Sequence, residues 1–308
     1  MNRTTAECVI CGGSDNHLVD RQPEDYEYFI KPKSPLKVYH CRTCGCEFVY
    51  PRPSVEELTS FYPLHYHTYN DDHGLIAATL VAMRSKARAR FFNQLIKTRP
   101  IHLFDVGAGD CRHFNDMSKY GDFDFAGVEI KPEMVEAAAR RGYRVELGTI
   151  EDLDISSYEN RFDIVTMYQL VEHVLDPQLL FRKAFSLLKP GGYVTGQLPS
   201  MDCIERRVFG RYWAGYHYPR HIQMVSPKAL SALIKQSGFS RVEVKSALHL
   251  HAAQSAQNFL IGKLGYRAKM THGKTPLYSS LLLLAAPFCL LEHAVGKGGM
   301  MNFIALKP

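Results

Sequence analysis

The stretch from Ile101 to Glu129 constrains this chain more than any other. IHLFDVG reads as a buried strand ending in a glycine turn, CRHFNDMSKY as the helix after it, and FDFAGVEI as a second strand that ends in an acid. Apolar strands joined through a helix belong to a parallel sheet with both faces covered. The alternation continues. PEMVEAAARRG reads as a helix with Pro132 near its first turn and Gly142 past its end. YRVEL is a third strand, FDIVTMY a fourth, PQLLFRKAFSLLKPGG a helix closed by Pro190-Gly-Gly, and YVTGQLP a fifth. Ser226 and Pro227 open a further helix leading to a sixth strand, FSRVEVKSAL, and MMNFIALK supplies a seventh. The spacing predicts an α/β fold built on a Rossmann-like, seven-stranded sheet with helices on both faces, the strands that alternate with helices being parallel.

In such sheets the ligand lies beyond the carboxyl ends of the strands, beside the first strand. That strand ends Asp105-Val-Gly107-Ala-Gly109-Asp110, and Glu129 closes the second strand 20 residues after Gly109. Two glycines let backbone approach a ligand closely, and an acid at Glu129 accepts bonds from both ribose hydroxyls, as any adenosine ligand needs. A dinucleotide also needs a third glycine where the helix meets the pyrophosphate, and Arg112 stands there. A pyrophosphate ligand is therefore disfavoured, and Asp105 suggests a cationic ligand group instead.

Cysteine spacing defines a second unit. Cys8 and Cys11 form one C-x2-C pair and Cys41 and Cys44 another, each followed by glycine. Two such knuckles complete a tetrahedral thiolate site for zinc, coordinatively closed and therefore structural. Four thiolates and one zinc ion contribute −2, taking the formal charge from +6 to +4. Cys46 lies beside the second knuckle, while Cys111, Cys203 and Cys289 read as small buried hydrophobes. Eight cysteines in 308 residues are too few for a disulfide scaffold. With 46% hydrophobic and 22% charged residues and no run of five or six like charges, the chain reads as globular, and charge alone suggests no nucleic-acid partner. The start MNRTTAECVICGG lacks the apolar core of a signal peptide, and no apolar run is long enough to span a membrane, so the reading is cytoplasmic.

Between these units, Pro51-Arg-Pro53 stops the second knuckle strand and Ser54-Val-Glu-Glu57 opens a short helix with capping-box spacing. FYPLHYHTYN follows, carrying Tyr62, His65, Tyr66, His67 and Tyr69; it is either a lid over a ligand or a linker packed on the next domain. Leu75 to Thr98 then reads as a long basic helix, ended by Pro100.

FDVGAGD, GVEI, GTIEDL (148–153), FDIVTMYQLVEHV, LLKPGGYV and LPS resemble the successive motifs of the class I S-adenosylmethionine-dependent methyltransferases, over about residues 75–308. With the ribbon, the aromatic segment and the string from Trp213 to Ser226, the resemblance covers almost the whole chain. It implies a zinc ribbon at 1–53, linker and lid helices at 54–99, and a class I methyltransferase domain at 100–308 with a helical insertion at 249–297. It also implies that Gly107 and Gly109 line the methionine and ribose of the cofactor, and that Glu129 holds the ribose hydroxyls. Ile130 would pack on the adenine, Ile150 and Glu151 would meet its edge, and Tyr168 or Gln169 would close the methionine side. The chain departs from the family at Cys111, where a third glycine is common.

Methyl transfer from a sulfonium is an in-line displacement, and a hydroxyl or carbon acid acceptor also needs a base. Two clusters offer histidine: Glu172-His173 after the fourth strand, and the loop Trp213-Ala-Gly-Tyr216-His217-Tyr218-Pro-Arg220-His221. The loop is similar to the region where zinc-ribbon sugar C-methyltransferases carry an H-E-H string. His221 matches the last histidine and is the candidate base; a loop histidine that only bonds backbone is the other reading. Arg220 replaces the acid and suggests a clamp for an anionic acceptor. Tyr66, Tyr69, Trp213 and Tyr218 are candidate substrate or lid residues. Related O-methyltransferases hold a divalent metal on E-x-x-E-H, which reads Gln169-Leu-Val-Glu172-His173 here; one carboxylate is lost, so no catalytic metal is expected.

The insertion carries two apolar stretches. One account is helices that cover the sheet or form a homodimer face. Its rival is an interfacial patch at 277–296, beside Lys263, Arg267, Lys269 and Lys274, for peripheral contact with a membrane or a lipid-linked acceptor. The expected function is methyl transfer from S-adenosylmethionine to O or C of a small molecule such as a sugar, sugar nucleotide or natural-product intermediate. Two alternatives stay open: a lipid-linked or cell-envelope acceptor, and a non-catalytic zinc-ribbon binding module.

Overall fold

The computed structural model describes residues 6–19, 22–62 and 75–308. The N-terminal unit is an antiparallel sheet of β1 (Asn16–Leu18), β2 (Lys37–Cys41) and β3 (Glu47–Tyr50). Its fourth strand, β9 (Gln223–Met224), comes from the far half of the chain and pairs with β3, Glu47 opposite Met224. The ribbon is therefore sewn into the larger domain through backbone bonds. Between them run α1 (Val55–Ser60), whose Ser54 Oγ accepts the Glu57 N–H at 3.1 Å, and α2 (Leu75–Leu95).

The main sheet uses β4 (Ile101–Val106), β5 (Phe123–Glu129), β6 (Arg144–Leu147), β7 (Phe162–Tyr168), β8 (Leu188–Pro199), β10 (Ser240–Ala247) and β11 (Met300–Leu306). Its order is β6-β5-β4-β7-β8-β11-β10. Pairing is parallel from β6 to β8, but β11 runs antiparallel to both β8 and β10. The parallel part is the one the strand–helix alternation implied, and the insertion accounts for the antiparallel strand. The helices α8 (Ala252–Leu264) and α9 (Tyr278–Ala294) leave β10 at the carboxyl edge of the sheet, so the returning strand starts from that edge and must run back. Lys189 to Gly192 differ from expectation. They belong to β8 rather than closing α5 (Pro177–Leu187), and a Cβ on Gly192 would meet the Asp163 carbonyl at 3.0 Å, so the extended chain passes hard against β7.

The first β-α-β unit is closed by α3 (Arg112–Met117), and α4 (Pro132–Arg140) joins β5 to β6. One face of the sheet packs Phe92, Ile101, Leu103, Phe114 and Phe125. The other packs Phe104, Val165, Phe181, Leu230 and Phe303 together with Cys8, Cys41 and Phe48 of the ribbon. A third cluster joins Val38, Val49 and Phe61 to Trp213, Tyr216, Ile222 and Met224. The loops after β8, with α6 (Ile204–Phe209), lead to β9 and then α7 (Pro227–Gln236), where Ser226 Oγ caps the Ala229 N–H at 3.2 Å.

Candidate active site

Backbone conformation at the end of β4 shows why glycine recurs there. Gly107 and Gly109 have φ of +80° and +56°, a region that costs residues with a Cβ. Cys111, which stands where a third glycine is common, is also left-handed at φ +60° and fully buried. Burial pushes its thiol up to about 12, so it is a packed neutral group.

Glu129 reaches back from β5 to this turn. Its carboxylate accepts the Gly109 N–H at 2.9 Å and the Lys131 N–H at 3.0 Å, which fixes the acid at the mouth of the glycine turn. Burial raises its pKa, while the two backbone donors oppose that shift. An acceptor held beside left-handed backbone fits the ribose of an adenosine ligand. Ile130 is half-buried next to it, and Ile150 packs into the main core. Glu151 turns the other way: its carboxylate accepts the N–H groups of Leu175 and Asp176 at 3.0 and 3.3 Å. On the methionine side, Arg88 of α2 lies 3.7 Å from the centre of the Tyr168 ring. Gln169 has φ +53° and donates its N–H to the Gln197 carbonyl at 2.7 Å.

Asp105 does not wait for a cationic ligand. Its carboxylate accepts the Thr166 hydroxyl and faces His113 Nε2 at 3.2 Å, deep in the sheet.

The histidine clusters converge. His173 and His221 rings lie 4.6 Å apart, and donor atoms of Glu172, His173 and His221 all fall within 4.8 Å of one another. His221 Nδ1 bonds the Gly215 carbonyl at 2.8 Å, so Nδ1 carries the proton and Nε2 the lone pair. Burial, then the neighbouring His173 and His217, holds His221 well below its usual 6.5, and burial takes His173 down to about 4. Both are neutral at pH 7. Glu172 is buried with neither carboxylate oxygen bonded to a partner among the described residues, and burial pushes it up to about 8. The sequence string lacked a second carboxylate; the fold brings His221 to that position instead.

Tyr62 links this cluster to the adenosine side. Its hydroxyl lies 2.8 Å from His173 Nδ1, and Lys131 Nζ sits 5.7 Å from its ring centre. Glu129, Lys131, Tyr62, His173 and His221 thus form one continuous line of contacts. Tyr66 and Tyr69, with His65 and His67, lie outside the described residues.

Three expectations for the loop are corrected. Arg220 clamps no acceptor: it is 1% exposed, and its guanidinium meets Asp25 Oδ2 at 3.3 Å and Glu27 Oε2 at 2.7 Å. A buried cation needs such partners, and both come from the ribbon-side segment. Trp213 is a core residue, not a lid; it is buried against Tyr216 and against Gly215, where a Cβ would fall 2.0 Å from the indole. Tyr218 donates its hydroxyl to the Leu36 carbonyl at 2.8 Å, tying the loop to the ribbon.

The four ribbon sulfurs also gather, with Cys8 to Cys44 at 3.6 Å and Cys11 to Cys41 at 3.7 Å. A tetrahedron with metal–sulfur bonds of about 2.3 Å has edges of about 3.8 Å, so the set fits one four-coordinate ion. Cys46 is buried behind the second knuckle and donates no ligand; its carbonyl accepts the Cys41 N–H at 2.8 Å.

Sequence reading missed Arg52, whose guanidinium donates to the carbonyls of Val174, Leu175 and Ile222 and so holds both histidine loops. Its place between Pro51 and Pro53 was the one available signal.

A family profile described as a methyltransferase domain matches residues 81–244, just over half of the chain. The chain belongs to that family. This methyltransferase domain is 28% identical over 141 residues to ubiquinone biosynthesis O-methyltransferase of Coxiella burnetii, covering 44% of the chain and 58% of the relative's length. It is 25% identical over 175 residues to the protein of that name from Xanthomonas euvesicatoria, covering 53% and 72%. Phosphoethanolamine N-methyltransferase 2 of Haemonchus contortus, solved with S-adenosyl-L-methionine, shares the fold at a TM-score of 0.50 and 17% identity, over 72% of this chain and 52% of that one. The domain is thus of the class I, S-adenosylmethionine-dependent type, and the glycine turn and Glu129 are the parts of it that suit that cofactor.

Proposed function

We propose that the protein transfers a methyl group from S-adenosylmethionine to a hydroxyl or acidic carbon of a small molecule, with His221 as the base. The observation that carries this reading is the His221 Nδ1 bond to the Gly215 carbonyl, which leaves Nε2 as a lone-pair acceptor on a neutral ring. When bound, the cofactor supplies an electrophilic methyl on sulfur and leaves as the thioether. Glu129 and the glycine turn hold its ribose; Tyr168 and Gln169 border its methionine side. His221 takes the acceptor proton at Nε2 as the bond from the acceptor atom to the methyl carbon forms and the carbon–sulfur bond breaks, and the neutral Glu172 carboxyl lies beside the two rings. Tyr62 and Arg220 fix the partner ring, the former through its hydroxyl and the latter through its carbonyl, 3.0 Å from His173 Nδ1.

A sugar, sugar nucleotide or natural-product intermediate remains the acceptor class. The relatives named for ubiquinone biosynthesis O-methylation support a small molecule methylated at oxygen, and the chain spans 58% of the length of the first of them. We further infer that Cys8, Cys11, Cys41 and Cys44 hold a structural zinc ion, which would fix the knuckles from which β2 and β3 run toward β9.

The test joins binding to turnover. Calorimetry with S-adenosylmethionine, S-adenosylhomocysteine and NAD should give binding of the first two alone. Methyl-labelled cofactor offered with a panel of phenols, sugars and sugar nucleotides then reports transfer. His221→Asn should keep cofactor affinity and lose about 10²–10⁴ in kcat. Retained kcat would remove His221 as base, and a protein that binds none of the three ligands would be a binding module.

A further inference from the structure

We propose that the outer face of α9, with the basic loop before it, docks this protein on the surface of an anionic lipid bilayer. The helix is turned inside out for one in water. Leu283 and Leu284 are 78% and 77% exposed and Leu291 is 68% exposed, while Cys289 and Glu292 point inward. Positions 283, 284, 287, 290 and 291 recur at helical spacing and form a single face. That face is held outward by a firm anchor on the opposite side. The Glu292 carboxylate accepts the Gly299 N–H at 3.0 Å and the Glu205 N–H at 3.2 Å, and Ser246 Oγ lies 3.2 Å from His293 Nδ1.

Charge decides what covers the patch. From Val244 to Leu291 the sequence contains no aspartate or glutamate, and Lys263, Arg267, Lys269 and Lys274 are exposed around Leu264 and Leu277. A second copy meeting this face across a two-fold axis would set these cations against the same cations. An anionic bilayer supplies both what the leucines and what the lysines need: apolar depth under a layer of negative charge. Among the described residues no helix is long and apolar enough to cross a membrane, so the contact is interfacial. The insertion leaves β10 at the carboxyl edge of the sheet, which also carries Gly107, Gly109 and Glu129, so docking brings that edge to the membrane surface.

Vesicle flotation with the full chain tests this without reference to activity. Vesicles of phosphatidylcholine mixed with phosphatidylglycerol should carry the protein up, and vesicles of phosphatidylcholine alone should carry about tenfold less or none. The Leu283→Ser/Leu284→Ser and Lys269→Glu/Lys274→Glu variants change only exposed positions; each should keep the parent melting temperature and lose about tenfold or more in vesicle affinity. Failure to bind anionic vesicles overturns the proposal, as does binding that either folded variant retains in full. Self-association in sedimentation that the leucine variant abolishes, with vesicles ignored, overturns it in favour of a second copy.

Discussion

Arg52 and Gln223 lie 171 residues apart in sequence and 2.8 Å apart in space, Arg52 donating to the Gln223 side-chain carbonyl. Gln223 in turn donates to the Val171 and Val174 carbonyls, so the pair ties down both ends of the loop that carries Glu172 and His173. A ribbon residue therefore positions the candidate base cluster. Arg52→Met should strand the Leu175 carbonyl and the Gln223 side-chain oxygen, while the Val174 and Ile222 carbonyls keep Gln223 Nε2 and the Val49 N–H, and cost about 2 kcal/mol or more, read as a fall in the urea midpoint. Arg52→Lys, which can satisfy part of the set, should recover part of it. Equal midpoints for the parent and the methionine variant would show that this tie contributes nothing.

Glu129, proposed to hold the cofactor's ribose, is also the partner of the Gly109 N–H. Glu129→Gln keeps one acceptor oxygen and the volume, so the fold should hold while S-adenosylmethionine affinity drops about tenfold or more, by the loss of charge-assisted bonds. Calorimetry on the folded variant checks it; unchanged affinity would take the residue out of the ribose site.

Cys111 combines a left-handed backbone with full burial. Cys111→Gly relieves the backbone cost, about 1 kcal/mol, and loses a similar amount of apolar burial, so stability should change little. Cys111→Val adds a branched side chain at positive φ in a closed site and should cost several kcal/mol more than the glycine variant. Chemical denaturation of the two, side by side, reads the difference.

Cys41 sits on β2 and Cys44 just beyond it, within the sheet that β9 completes. Plasma mass spectrometry of the purified protein should find one zinc ion per chain, and Cys41→Ser should lose it. Because β9 follows His221 directly, the same variant should also lower the melting temperature and the protection of the 213–226 backbone against hydrogen exchange. A fully loaded serine variant would contradict the assignment.

Glu292 anchors α9 from within, and burial, then the nearby Glu205, pushes it up to about 7 from its usual 4.5. A carboxyl raised on folding stabilises most when protonated: the contribution is complete below pH 4.5 and is lost as pH rises through 7. At the limit it amounts to on the order of 3 kcal/mol. Glu292→Gln gives up one acceptor, so it should be less stable at pH 5 but show a flatter stability profile between pH 4.5 and 8. A profile of unchanged slope would assign the pH dependence to other groups.

What the sequence determined is what neighbours along the chain determine. Alternating apolar strands and helices spell out the sheet, the Gly107–Gly109 turn and Glu129 are set by a short spacing, and two C-x2-C pairs bring their thiols together whatever else packs around them. Even the helix starts at Ser54 and Ser226 are local, since a hydroxyl needs only an N–H three residues on. Tertiary structure decided everything that depends on which distant surface a side chain meets. Arg220 reads as a free cation until Asp25 and Glu27, nearly two hundred residues away, neutralise it; Trp213 reads as a lid until the ribbon buries it. His221 reaches His173 only because Arg52, Gln223 and the β3–β9 pairing hold the two loops together. The antiparallel turn of β11 follows from where α8 and α9 leave the sheet, and the outward leucines of α9 follow from Glu292 being claimed by the interior. Burial is a property of pairs of surfaces, and no single stretch of sequence contains both.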